Sequence, residues 1–331
     1  MKFKSVIQAI RKRELGYYTS RRIFRYFERK KPDLQPFASD YIFDNRKADS
    51  ENLLMVLLGF QPFYWGVVLD RVKRNVEQFK EGIDVCLCVP CGANVDAWGG
   101  ARLFAEKYGF SFLRIKDDLL AQAQNTAIQL HPRAKWIFKI DEDIILPDQY
   151  FAHLKAAYIK ADAELRCKVG FIGPLINLNG VCSPLFMEQL GVMNEWISRF
   201  GKYRLYSNFM SAPVHKSPEA ARFIWSYTLP FDEVAEKIRA SKCEDIDVAY
   251  TRYSIGAILC TRSFWEEIGY FALSPIGHGA YEEKQMNSFC QLNMCSIGIA
   301  RKILVGHLGF HLQKQACREF FEEHINEIKH K

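Results

Sequence analysis

Between residues 53 and 140 the apolar positions change period in a regular rhythm. LLMVLL (53–58) is an unbroken apolar run of strand length, and Trp65, Val68, Leu69, Val72, Val76 and Phe79 then recur at helical spacing. IDVCLCV (83–89) predicts a second strand and Val95 to Tyr108 a second helix. FSFLRI (110–115), a helix around Ala121 to Leu130, and WIFKI (136–140) complete the series. Each interval holds a strand, a crossover helix and two short loops, as parallel βαβ units require. The expectation is an α/β fold, a mostly parallel sheet with helices on both faces, with the four strands side by side. Ligands of such sheets bind outside the carboxyl ends of the strands.

The fourth strand runs straight into Asp141, Glu142 and Asp143, between Ile140 and Ile144. Three consecutive acids in an apolar run need a reason, since a buried carboxylate is costly unless paired. Alternation in extended chain puts Asp141 and Asp143 on one face and turns Glu142 away. Two carboxylates sharing a face at a ligand-binding edge suit a hard divalent cation such as Mg2+ or Mn2+. The competing reading is an acid cluster at the start of a helix opened by Pro147 and Asp148, which accounts for Asp148 but leaves Asp141 unexplained.

Composition narrows the class. With 331 residues, 49% hydrophobic and 25% charged, the chain reads as an ordinary globular protein of one large or two smaller domains. No run reaches the ~18 apolar residues of a membrane span, and the amino terminus lacks the apolar core of a secretory signal. Ten cysteines without framework spacing point to free thiols in a reducing, cytoplasmic compartment. The net charge of +7 is uneven: residues 1–31 hold eleven Lys or Arg against two Glu, leaving a nearly neutral body. This basic, aromatic arm at roughly helical spacing reads three ways. It lies on an anionic membrane surface, binds nucleic acid, or packs on a partner. The stretch from Pro32 to Asn52 reads as a linker.

The βαβαβαβ half ending in Asp-x-Asp resembles the GT-A-fold glycosyltransferases, family 2 above all. Further segments follow in that family's order. Ala121-Gln122-Ala123-Gln124-Asn125 resembles its helix start beneath the donor nucleotide, and GAILCTRSFWEEIGYF (256–271) its strand, Arg and glycine-phenylalanine pattern. HGAYEEKQM (278–286) resembles the segment that supplies the catalytic base, and His307 in ILVGHLGF its carboxy-terminal metal-ligand histidine. Gln124 stands where the family often has Arg, and Glu283 where it usually has Asp. The second strand ends Val89-Pro90-Cys91-Gly92, with Asp96 further on, where the family places acids that touch the base.

The resemblance implies a metal held by Asp141, Asp143 and His307, and donor contacts from Phe60, Asp96, Gln124, Asn125 and Glu142. It implies catalysis by Glu283, with Glu282 beside it. The implied reaction is inverting sugar transfer from a nucleotide sugar, a UDP-sugar above others, to a glycan acceptor. Bacterial capsule or lipopolysaccharide is the implied destination, with the enzyme peripheral on the inner face of the cytoplasmic membrane. Of the three readings of the arm, the resemblance favours the membrane surface, with no nucleic acid partner expected. The expected division is an arm and linker over 1–50, a nucleotide-sugar half over 51–150, an acceptor half over 151–312 and a terminal helix over 313–331. The alternative of a different class is a non-catalytic nucleotide-sugar or glycan-binding module of a membrane-bound assembly.

Two further constellations are weighed. Cys88-Val89-Pro90-Cys91 admits a thiol oxidoreductase, against which Cys86 and Cys88 read as small apolar residues on one face of a buried strand. Trp196, Trp225 and the aromatics from Tyr203 to Phe209 admit sugar stacking, with core packing the plainer use.

Overall fold

Residues Asn52–Leu57 form a strand in which every side chain is buried, the pattern of a parallel strand covered on both faces. It is β2 of the ten strands among the described residues, the others being β1 Tyr41–Asp44, β3 Asp84–Val89, β4 Ser111–Ile115, β5 Trp136–Asp141, β6 Ile144–Ile145, β7 Val169–Ile176, β8 Ile246–Val248, β9 Ala257–Thr261 and β10 Ser296–His307. The computed structural model describes residues 35–59, 61–90, 95–116, 120–205, 212–274, 281–309 and 313–329, without the side chains of 95–98. The arm over 1–31, Phe60, Cys91 and His278 therefore lie outside the described residues, as does the Asp96 side chain.

One sheet takes the order β1-β4-β3-β2-β5-β9-β7-β10-β6, with β8 added on β10. The four strands expected from the sequence are neighbours in it. β4, β3, β2 and β5 pair parallel, and β7 pairs parallel with β10. β9 joins the two groups antiparallel, pairing β5 on one side and β7 on the other.

Helices α1 (Trp65–Gln78), α2 (Val95–Tyr108) and α3 (Leu120–Leu130) are the crossovers. Strand order runs one way from β2 through β4 and then back past β2 to β5. Right-handed crossovers therefore set α1 and α2 on one face and α3 on the other. The contacts agree: Phe79, after α1, packs on Phe138 and Phe151, whereas Asn125 of α3 bonds Trp265. The stretch read as a linker carries β1, which pairs antiparallel with β4, while Ala38 N–H donates to Thr126 Oγ1 at 2.9 Å. Four residues with Tyr41 and Ile42 exposed give too short an apolar signal to announce an edge strand.

Candidate functional site

β5 ends at Asp141, whose N–H donates to Gly256 O at 2.8 Å, just before β9. Glu142 and Asp143 then form a turn, and the chain re-enters the sheet as β6, two residues paired antiparallel with Gly306 and His307 at the end of β10. Leu308 N–H donates to Asp143 O at 3.1 Å, fastening the turn to the far end of the chain. Gly306 is required there, since a Cβ would meet Trp225 at 2.7 Å. This pairing brings His307 Nε2 to 3.6 Å from Asp143 Oδ2. Gln61 Nε2, following β2, donates to the same oxygen at 2.8 Å.

The three acids take different partners. Glu142 turns away, its Oε2 accepting from Gly59 N and Trp65 Nε1, both at 2.8 Å, and so braces the end of β2 against α1. Asp143 is buried, which raises its pKa, but His307 and the Gln61 hydrogen bond outweigh burial and hold it below the ordinary carboxylate value. Burial likewise pulls the His307 imidazole down, while the Asp143 charge and hydrogen bond overcome it and leave the pKa raised. Burial raises the Asp141 pKa against the pull of Lys139, and Asp143 adds to the rise. The Asp141 side chain keeps 36% exposure at the mouth of the site, so solvent screens that effect.

Lys139 is the residue the sequence reading passed over. Its Nζ, on a side chain only 4% exposed, lies 2.7 Å from Asp141 Oδ1 and donates to Ile255 O at 2.7 Å. The signal was available: a lysine in an apolar strand, two positions before Asp141, shares its face. Asp141, Asp143 and His307 form an oxygen and nitrogen donor set that fits Mn2+ chemistry. Asp143 and His307 stand together, whereas Asp141 is turned to Lys139. Among the described residues no three His, Cys, Asp or Glu side chains converge as a finished metal cage.

Glu282 and Glu283 open the helix Tyr281–Leu292 and are both buried, but they look in different directions. Burial pushes the Glu282 pKa up to about 7 against the attraction of Lys139, and its Oε2 has no hydrogen-bond partner. Glu283 faces the loop before β9, where Arg252 Nε donates to its Oε1 and Ile255 N–H to its Oε2 at 3.3 Å. Glu283 and Arg252 also line a cavity of about 220 Å³ with Asn179, Arg204 and His215.

Asn125 is fully buried and saturated: its Nδ2 donates to Pro36 O and Phe271 O, and its Oδ1 accepts from Trp265 Nε1 and Phe271 N. That amide keeps no donor or acceptor for a ligand. Gln124 is buried and donates to Leu120 O of its own helix at 3.4 Å. Arg262 donates to the carbonyls of Ile128, His131 and Ala134, closing the end of α3. Asp148 pairs with Arg74 through two bonds at 2.7 and 2.8 Å, ahead of a helix that begins only at Tyr150. Trp196 and Trp225 are core residues, each 1% exposed. Cys86 and Cys88 lie buried with sulfurs 3.8 Å apart, and the contact with Cys88 and burial push the Cys86 thiol well up, the opposite of a reactive thiolate. No described helix is long and apolar enough to cross a membrane.

No protein-family model and no curated protein sequence matches the chain. Among solved structures, it is similar to the mannosyltransferase PcManGT from Pyrobaculum calidifontis in complex with GDP-Man and Mn2+. Identity there is 14% and TM-score 0.45, over 86% of this chain and 63% of that one. It is also similar to GalNAc-T7 with UDP, GalNAc and Mn2+, at 12% identity and TM-score 0.44, over 82% of this chain and 45% of that one. The matches thus span less than two thirds of either structure's length.

Proposed function

We propose that the chain is a metal-dependent glycosyltransferase of GT-A type that moves a sugar from a nucleotide donor to a glycan acceptor. The observation that carries this reading is a juxtaposition at the carboxyl ends of β5 and β10. Asp143 and His307 pair there with Asp141 two residues away on Lys139, and Glu282, whose carboxyl feels Asp141 and Lys139, opens a helix with Glu283. When bound, a divalent cation supplies positive charge to a diphosphate leaving group. Asp143 and His307 would hold it, with Asp141 joining as Lys139 gives up Oδ1. The Lys139 charge attracts both the Asp141 and the Glu282 carboxylates.

Glu283, which lines the cavity, would take the proton from an acceptor hydroxyl in this reading. Such a reaction is a single in-line displacement with inversion. A UDP-sugar donor and a bacterial capsule or lipopolysaccharide acceptor remain the finer form of the proposal, and the arm at 1–31 its membrane contact. The second reading, a binding module without turnover, draws on the lysine already seated on Asp141.

A panel of nucleotide sugars incubated with the chain in Mn2+ or EDTA separates the two. Slow hydrolysis of one donor in Mn2+, lost in EDTA, supports the enzyme; stabilisation by a donor without turnover supports the module. With an acceptor in hand, Glu283→Gln should abolish transfer and spare donor binding. The product's anomeric configuration, read by NMR, should be opposite to the donor's.

A further inference from the structure

Two carboxyl groups contend for one buried ammonium. Lys139 stands inside β5 with its side chain 4% exposed, and its Nζ lies 2.7 Å from Asp141 Oδ1 and donates to Ile255 O at 2.7 Å. That uses two of the three donors an ammonium carries. Glu282, also 4% exposed, feels the Lys139 charge as well, yet its Oε2 lies in the interior with no hydrogen-bond partner. A buried acceptor left unmatched costs stability and calls for an explanation. Packing alone does not supply one, since an apolar side chain of similar size would avoid the cost.

Asp141 is the member of the cation's donor set that is already taken. Asp143 and His307 pair with each other, whereas Asp141 Oδ1 holds the ammonium. A divalent cation that takes Asp141 has to displace Lys139, and an interior ammonium stripped of its partner is costly. Lysine carries its charge on a flexible four-carbon stem. Ile255 O keeps one of its bonds, and Glu282 Oε2 is the open acceptor for another. We propose that Lys139 is an exchangeable positioning residue: its ammonium occupies Asp141 in the cation-free protein, passes to Glu282 when a divalent cation takes Asp141, and so limits how tightly that cation binds. This role rests on the cation site of the transferase reading and is tested without turnover.

Electron paramagnetic resonance of free Mn2+ measures cation binding to the full chain without nucleotide, at pH 8, where Glu282 is mostly ionised. Lys139→Met and Lys139→Gln should each bind Mn2+ about tenfold or more tightly than the parent, the worth of one charge-assisted hydrogen bond. Lys139→Gln keeps a donor for Ile255 O, and circular dichroism checks that each variant is folded. In the Asp141→Ala background the same replacements should change Mn2+ affinity by less than about threefold, because the contested oxygen is gone. Glu282→Gln should weaken Mn2+ binding about threefold or more in the parent and leave it unchanged in Lys139→Met, where no ammonium needs a second seat. Equal Mn2+ affinity in the parent and both Lys139 variants overturns the proposal. So does a tightening as large in Asp141→Ala as in the parent, which is through-space repulsion, or a Glu282→Gln loss that is the same with and without Lys139. Mn2+ bound by no variant overturns the cation site itself, whereas absence of donor hydrolysis overturns the transferase reading and leaves these affinities in place.

Discussion

Replacing Glu282 with Gln should stabilise the protein, and the gain should grow with pH. Burial sets the folded pKa at about 7, against 4.5 for the ordinary group. Below pH 4.5 the carboxyl is neutral in both states and contributes nothing to the pH dependence. Between 4.5 and 7 the unfolded chain releases the proton while the folded chain keeps it, so stability falls as pH rises. Above 7 the loss is complete at about 3 kcal/mol, from 1.36 kcal/mol per pH unit of separation. The amide is never ionised and escapes the loss. Relative to the parent, Glu282→Gln should therefore gain about 1 kcal/mol at pH 5.5 and about 3 kcal/mol at pH 8. At about 2 °C per kcal/mol for a domain of this size, the Tm difference at pH 8 is roughly 6 °C. Thermal unfolding in EDTA across pH 5.5 to 8 reads it without cation charge at Asp141. A Tm difference independent of pH, or a variant less stable at pH 8, would refute the burial argument.

Three other outcomes are expected. Glu142→Ala leaves Gly59 N and Trp65 Nε1 unpartnered in the interior, and denaturant unfolding should show a loss of roughly 2–4 kcal/mol. Asp143→Ala should reduce Mn2+-dependent donor hydrolysis to background with the circular dichroism spectrum unchanged, whereas persistent hydrolysis would remove the residue from the metal site. Deletion of residues 1–31 should spare turnover of a soluble acceptor analogue and weaken sedimentation with anionic vesicles in a salt-sensitive way, since screening acts within about 10 Å at 0.1 M.

The parallel half was legible because its strands are buried on both faces and read as unbroken apolar runs, with amphipathic helices between them. The other half hides its strands. β7 contains two glycines and a proline, and β10 contains Arg301 and Lys302 and loses register between Ala300 and Leu304. Alternation holds for extended chain, but Glu142 and Asp143 lie in a turn between β5 and β6. Lys139 was legible as a neighbour of Asp141, whereas His307 reaches Asp143 only through the two residues of β6, and Arg252 reaches Glu283 across 31 residues. Asn125 shows the converse. Its place in a familiar segment pointed to a ligand, but Pro36, Trp265 and Phe271 use all of its hydrogen bonds.

These long-range contacts converge on one seam. β9 runs antiparallel between β5 and β7, so the loop before it crosses the carboxyl end of β5. That loop supplies Gly256 O to Asp141, Ile255 O to Lys139, and Ile255 N and Arg252 to Glu283. Residues 252–256 thus tie Asp141 and Lys139 to Glu283 through the Gly256 and Ile255 backbone groups and the Arg252 side chain. A shift of this loop moves Lys139, Asp141 and Glu283 together. The sequence places the carboxylates at a sheet edge, and this short antiparallel connection is what turns them into a single site.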